Sequence, residues 1–126
     1  MIKKNFTDLA LLLLRVGFGG FMLTHGIPKI SKLSNPSGFP DPLNIGEMPS
    51  LILTIIGEVV ASILIIIGYK TKWAAIPAAL TMLVAAFIVH AKDNIGTKEH
   101  ALLFLIAFTV IFLTGAGKLS IDGLKK

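Results

Sequence analysis

The chain has 126 residues, 54% of them hydrophobic and 15% charged, with a net charge of +5 and no cysteine. A soluble domain usually carries about 25% charged residues; here the charges gather between long apolar runs, which excludes an ordinary water-soluble core and makes a bilayer the solvent. The absent cysteines remove disulfides, iron–sulfur clusters, thiolate zinc sites and thiol relays, and the basic excess is what apolar spans need for orientation rather than a nucleic-acid signature.

The first apolar run, about residues 8–27, follows Lys3 and Lys4. It contains Arg15 and no A-x-A-like site follows it, so it reads as a retained membrane helix rather than a cleaved leader. Pro28 is expected to end it, since proline disfavours helical geometry in the residue before it. Residues 28–49 hold five of the six prolines with Gly38 and Gly46, and read as an extended outer loop or a short re-entrant piece. A second span covers about 50–68. The basic turn Tyr69-Lys70-Thr71-Lys72-Trp73 leads into a third, about 73–90, with Pro77 in roughly its first turn, where a missing N–H costs least. A polar turn precedes a fourth span, about 99–115, and the tail is polar.

Continuous apolar runs without strand alternation choose helices, because only helices and closed barrels satisfy the backbone in lipid. The expected fold is all-α: one integral membrane domain over 1–126, a four-helix up-down-up-down bundle. Gly17, Gly20, Gly57, Ala61 and the alanines of the third span offer close packing. Lys3, Lys4, Lys70, Lys72, Lys118, Lys125 and Lys126 fall on one side; Lys29, Lys32, Lys92 and Lys98 fall on the other, diluted by Asp41, Glu47 and Asp93. The first side, with both termini, is expected to be cytoplasmic, with Tyr69 and Trp73 in its interfacial belt. The expected location is the cell membrane, multi-pass, the inner membrane if the source is bacterial. A faint echo, Phe21 to His25 against Phe87 to His90, hints at a two-plus-two repeat.

Charged groups near a helix centre cost about 2.5–3.5 kcal/mol on insertion scales and face a bundle interior or a partner. Arg15 and Glu58 are expected at similar depth in antiparallel neighbours, either as an ion pair or as the lining of a polar pocket. His25, His90 and the Glu99-His100 pair are expected at one outer face, where histidine can pass protons or ligate metal, with Glu99 in the first turn of its helix. Arg15 and His25 lie ten residues apart, about 80° around a helix, and Thr54, Glu58, Ala61 and Ile65 share a face. The interior so defined is a polar path from Glu58 and Arg15 to the outer histidines. Bis-histidine haem ligation and a three-histidine metal site are both conceivable, but the spacing supports neither, so no metal or haem is assigned.

These residues resemble a known family. Leu14-Arg15 with the glycine-rich sequence after it and His25-Gly26-Ile27-Pro28-Lys29 resemble the first helix of the DoxX family. Gly57-Glu58-Val59-Val60-Ala61 and Gly68-Tyr69-Lys70-Thr71-Lys72-Trp73-Ala74-Ala75 are similar to its second helix and turn. His90 fits, and Gly115-Ala116-Gly117-Lys118-Leu119-Ser120-Ile121-Asp122 is similar to its ending. The resemblance does not extend to the loop 32–49. It implies a small membrane subunit of the kind linked to thiosulfate:quinone oxidoreductase or to oxidative-stress responses, with Arg15, His25, Lys29, Glu58 and His90 at the family's polar positions.

The candidate ligand-binding or proton-handling residues are therefore Arg15, His25, Lys29, Glu58, His90, Glu99 and His100, with no catalytic residue assigned. One expectation is a redox-linked membrane subunit of a quinone-linked oxidoreductase, holding a quinone near Glu58 and Arg15 and taking electrons from a soluble partner. The alternatives are a non-catalytic assembly or ligand-binding module, and a small-solute or proton pathway formed by a homo-oligomer.

Overall fold

The computed structural model describes residues 4–124, and among them there is no strand. Helix α1 runs Lys4–Ile30 and tightens into a 3-10 turn at Ser31–Ser34. Helix α2 spans Glu47–Ile67, α3 spans Thr71–Val89, α4 spans Ile95–Thr114, and a single turn, α5, covers Ile121–Leu124. The first four are long and apolar enough to cross a membrane; the helical spans run 29 residues (Phe6–Ser34, with the 3-10 turn), 21, 19 and 20. Lys3, Lys125 and Lys126, which enter the orientation argument, lie outside the described residues.

Pro28 does not end α1; it lies inside it. A proline this near a helix end removes only its own bond to the carbonyl four residues back, and the chain tightens directly afterwards into 3-10 spacing. The expected loop 28–49 therefore shrinks to 35–46. Pro77 likewise falls in the second turn of α3, because that helix already starts at Thr71. The N-terminal end of α4 lies four residues before Glu99, where the Asn94 side chain caps it by accepting the N–H of Thr97.

The helices approach one another through glycines other than those expected in α1. A Cβ at Gly17 or Gly20 would meet nothing within 4 Å. At Gly19 it would sit 2.8 Å from Ile66 Cγ1, and at Gly26 it would press on Val59 and Glu58 at 2.7 and 2.8 Å. Gly57 backs onto Thr81 and Pro77 of α3. Gly26 and Gly57 thus let α1 and α3 close on α2 from two directions, and the residue between those contacts is Glu58. The core below it is apolar: Met22, Ala61, Ile65, Ala75, Phe108 and Ile111 belong to one buried cluster. Large apolar residues such as Leu13, Phe21, Ile106 and Leu113 face outward, as a lipid-solvated surface requires.

Two helices are interrupted by π turns, Ile56–Val60 in α2 and Ala85–Val89 in α3. The first is centred on Glu58. The second closes with the His90 N–H on the Ala85 carbonyl at 2.9 Å. Both carry their residues toward the same place between α1, α2 and α3.

Candidate functional site

Glu58 is buried, and Lys29 from the last turn of α1 reaches it, Nζ 2.5 Å from Oε1. The expected partner of Glu58 was Arg15, and the register corrects this. Gly26 lies against Glu58 and Val59, Gly19 against Ser62 and Ile66, and Arg15 against Ile65 and Ile66. Arg15 therefore meets α2 about two helical turns from Glu58. The expected spans were also too short at this end, where α1 continues past Ile27 and α2 begins before Ser50.

Arg15 instead closes the opposite end of the bundle. Its guanidinium donates to the carbonyls of Ile65 at 3.1 Å, Ile66 at 3.0 Å and Leu119 at 2.5 Å. The first two belong to the terminal turn of α2, where carbonyls lack helical partners and a cation is favoured. Gly68 ends that helix in the left-handed region, φ 73°, with its own N–H and that of Tyr69 on the Leu64 carbonyl. Any Cβ there would run into Ser120 and the Arg15 guanidinium. Asp122 of the tail, whose charge acts on Arg15, accepts the N–H groups of Lys70 at 2.8 Å and Thr71 at 2.9 Å and so caps α3 from a distance in sequence. These contacts make Arg15 a clasp between α1, α2 and the tail, not a member of the Glu58 centre.

Two cavities meet at Glu58. The smaller, about 140 Å³, is lined by Met22, His25, Lys29, Glu58, His90 and His100 among others, with Phe104 as its apolar side. The His25 and His100 rings are 6.3 Å apart between centroids, and His25 stands edge-on to Phe104 at 5.8 Å. The larger, about 640 Å³, lies between α2 and α3 under the proline-rich loop, lined by Leu53, Ile56, Leu80, Thr81 and Val84 and roofed by Phe39, Pro40, Pro42, Leu43 and Ile45. Lys29, Glu58, Ala85 and His90 line both. A volume of this size lies within the range of small-molecule sites.

The roof is tied down locally. Asp41 accepts the N–H groups of Ile45 at 2.9 Å and Gly46 at 2.8 Å and the hydroxyl of Ser50 at 2.8 Å. These bonds, that from Ser50 first, hold its carboxyl below the usual range. Glu47 accepts the N–H of Gly38 at 2.8 Å.

Of the residues singled out in the sequence, His25, Lys29, Glu58, His90 and His100 gather around the smaller cavity. Arg15 does not, and the expected polar path to it is interrupted by the apolar cluster. Glu99 does not either: it is exposed, lies in the second turn of α4, and lines neither cavity. Among the described residues no group of three or more His, Asp or Glu is placed to hold a metal ion. Sequence reading missed the apolar roof and missed Asp93, whose Oδ2 lies 2.7 Å from His90 Nδ1. An acidic residue three positions after a histidine was the available signal for the second. The loop's share of a cavity had no local signal.

No curated protein and no solved structure matches the chain. The sequence model of one family, DoxX, matches residues 10–91. That stretch carries Arg15 of the clasp, all four residues shared by the two cavities and the whole roof over the larger one; it leaves out residues 1–9, the turn before α4, α4 itself and the tail. The chain is a multi-pass membrane protein and belongs to the DoxX family.

Proposed function

We propose that this DoxX-family chain is a membrane subunit that holds a quinone or another small hydrophobic ligand at Glu58 and works with a redox partner. The observation that carries the reading is the apolar cavity of about 640 Å³ ending at a buried, charge-paired and histidine-flanked wall. Ligand sites are mostly apolar with a few convergent polar groups. The residues fit a quinone: Lys29 and His90 stand where its polar ring would lie, while Leu53, Ile56, Leu80 and Val84 offer an apolar slot for its hydrocarbon. When bound, a quinone supplies reversible two-electron, two-proton chemistry. The chain's own part is to orient the polar edge with the Lys29 ammonium, to exclude lipid and water with the roof, and to pass protons through His25, His90 and His100. In this reading electrons come from a soluble partner.

In this reading residues 1–126 form one integral unit of the cell membrane with up-down-up-down helices. Both termini and the Arg15 clasp are cytoplasmic, and the roofed cavity faces outward. The test is mass spectrometry of small molecules that co-purify with gently solubilised protein, wild type beside Glu58→Gln, followed by the spectrum of added quinone with and without a reduced partner fraction. A stoichiometric quinone that is lost in the variant, and reduced only with the partner present, supports the proposal. Bulk lipid alone in both samples defeats it and leaves an assembly module.

A further inference from the structure

The larger cavity makes polar demands at one end only. Three hydroxyl residues line it, and each donates its hydrogen elsewhere: Ser50 to Asp41 at 2.8 Å, Thr54 to the Ser50 carbonyl at 2.8 Å, and Thr81 to the Pro77 carbonyl at 2.7 Å. What remains is hydrocarbon and proline, closed at one end by Lys29, Glu58 and His90. A guest with a polar group along its body would find no lining hydroxyl free to donate to it, and an unmade hydrogen bond away from water costs about 1–3 kcal/mol.

The wall at that end is electrically balanced. Lys29 and Glu58 neutralise one another, with the Glu58 side chain 6% and the Lys29 side chain 32% exposed, and His90 is matched by Asp93 at 2.7 Å. An anionic head would compete with Glu58 for the single ammonium, and a cationic head would compete with Lys29 for the single carboxylate. Either leaves a buried charge without a counter-charge, which is the costly outcome for an ion pair out of water. A neutral carbonyl or hydroxyl can use the further N–H groups of Lys29 while the pair through Oε1 stays intact.

We propose that the site selects an electrically neutral, single-ended amphiphile: a carbonyl or hydroxyl head at the Lys29–Glu58 wall and an uninterrupted hydrocarbon body between α2, α3 and the loop. This rests on the reading that the cavity takes a hydrophobic ligand at all, and adds which charge and shape of ligand it takes. The Lys29–Glu58 pair is then the specificity determinant, acting against charged lipids that fit by size.

The test uses the full-length protein in nanodiscs of neutral lipid and four probes of equal chain length: a primary alcohol, a fatty acid, an alkyltrimethylammonium and an α,ω-diol. Binding is read by native mass spectrometry. The alcohol is expected to bind at least about tenfold tighter than the other three. Glu58→Gln leaves an unbalanced ammonium and should move the preference to the fatty acid; Lys29→Met leaves an unbalanced carboxylate and should move it to the ammonium probe. The double variant Lys29→Met with Glu58→Met should still take hydrocarbon but lose the charge ranking. If wild type takes the fatty acid or the diol as tightly as the alcohol, the selectivity is wrong although the cavity reading survives. If no probe binds wild type, the cavity reading itself fails and the selectivity with it. The wild-type ranking decides the matter even where a single variant does not fold.

Discussion

Lys29 Nζ stands 2.5 Å from Glu58 Oε1, so the last turn of α1 is tied to the π turn in the middle of α2. The pair joins three things: the approach of two helices, the floor of the small cavity and the polar end of the large one. Losing one partner leaves a charge in a site built for two. Lys29→Met should therefore lower stability by about 2–3 kcal/mol, less than a fully buried pair because the lysine is part-exposed. The double variant Lys29→Met with Glu58→Met should recover most of it. Thermal unfolding in one detergent, followed by helical circular dichroism, measures the difference; equal loss in the single and double variants would sink the account.

Close approach predicts a contrast within α1. Gly26→Ala puts a methyl group against Glu58 and Val59, and should cost about 1–3 kcal/mol and disturb the cavity wall. Gly17→Ala and Gly20→Ala meet open space and should be neutral or slightly stabilising through helix propensity. Unfolding of the three variants side by side separates them.

The clasp at the other end predicts a separation of stability from binding. Arg15→Lys keeps the charge but cannot reach the carbonyls of Ile65, Ile66 and Leu119 together. It should lower the melting temperature by several degrees while leaving the order of ligand affinities unchanged. Asp122→Ala, which removes the cap from α3, should lose about 1 kcal/mol in the same way. A changed ligand order in either variant would return Arg15 to the binding centre.

Asp41 gives the roof a pH dependence of definite sign. Its carboxyl is held below the usual range by Ser50 and by the backbone N–H groups around it. A depressed carboxyl contributes order above its unfolded value, near 3.9, and loses it as pH falls through the lower folded value. Limited proteolysis of residues 35–46 should then be flat from neutral pH down to about 4 and rise only below that. Asp41→Asn should give the acid pattern at neutral pH. Cleavage that already rises near pH 6 would sink this account of Asp41.

Four spans were legible because the bilayer demands long uninterrupted apolar runs, and a single sequence displays them directly. Their ends were less so. Pro28 reads as a stop, yet a proline near a helix end forfeits one hydrogen bond and α1 absorbs that loss. Depth counted from approximate span ends put Arg15 level with Glu58, whereas the packed helices bring Lys29 to it. The histidines were legible as a set because they share one end of the bundle. The greasy roof was not, because Phe39, Leu43 and Ile45 gain meaning only when the loop folds back over α2 and α3.

The π turns have a further consequence. Each houses one residue more than an α-helical turn over the same rise, so the sequence before and after it is out of phase by about 100°. Thr54 therefore opens onto the roofed cavity while Ala61 and Ile65 sit in the apolar cluster, although simple counting puts them on one face with Glu58. In effect α2 is two half-helices with separate azimuths, spliced at the acidic residue. When relatives are aligned, a one-residue gap is to be expected at 56–60 or 85–89, the place in a membrane span where a length change can be absorbed without unwinding the helix.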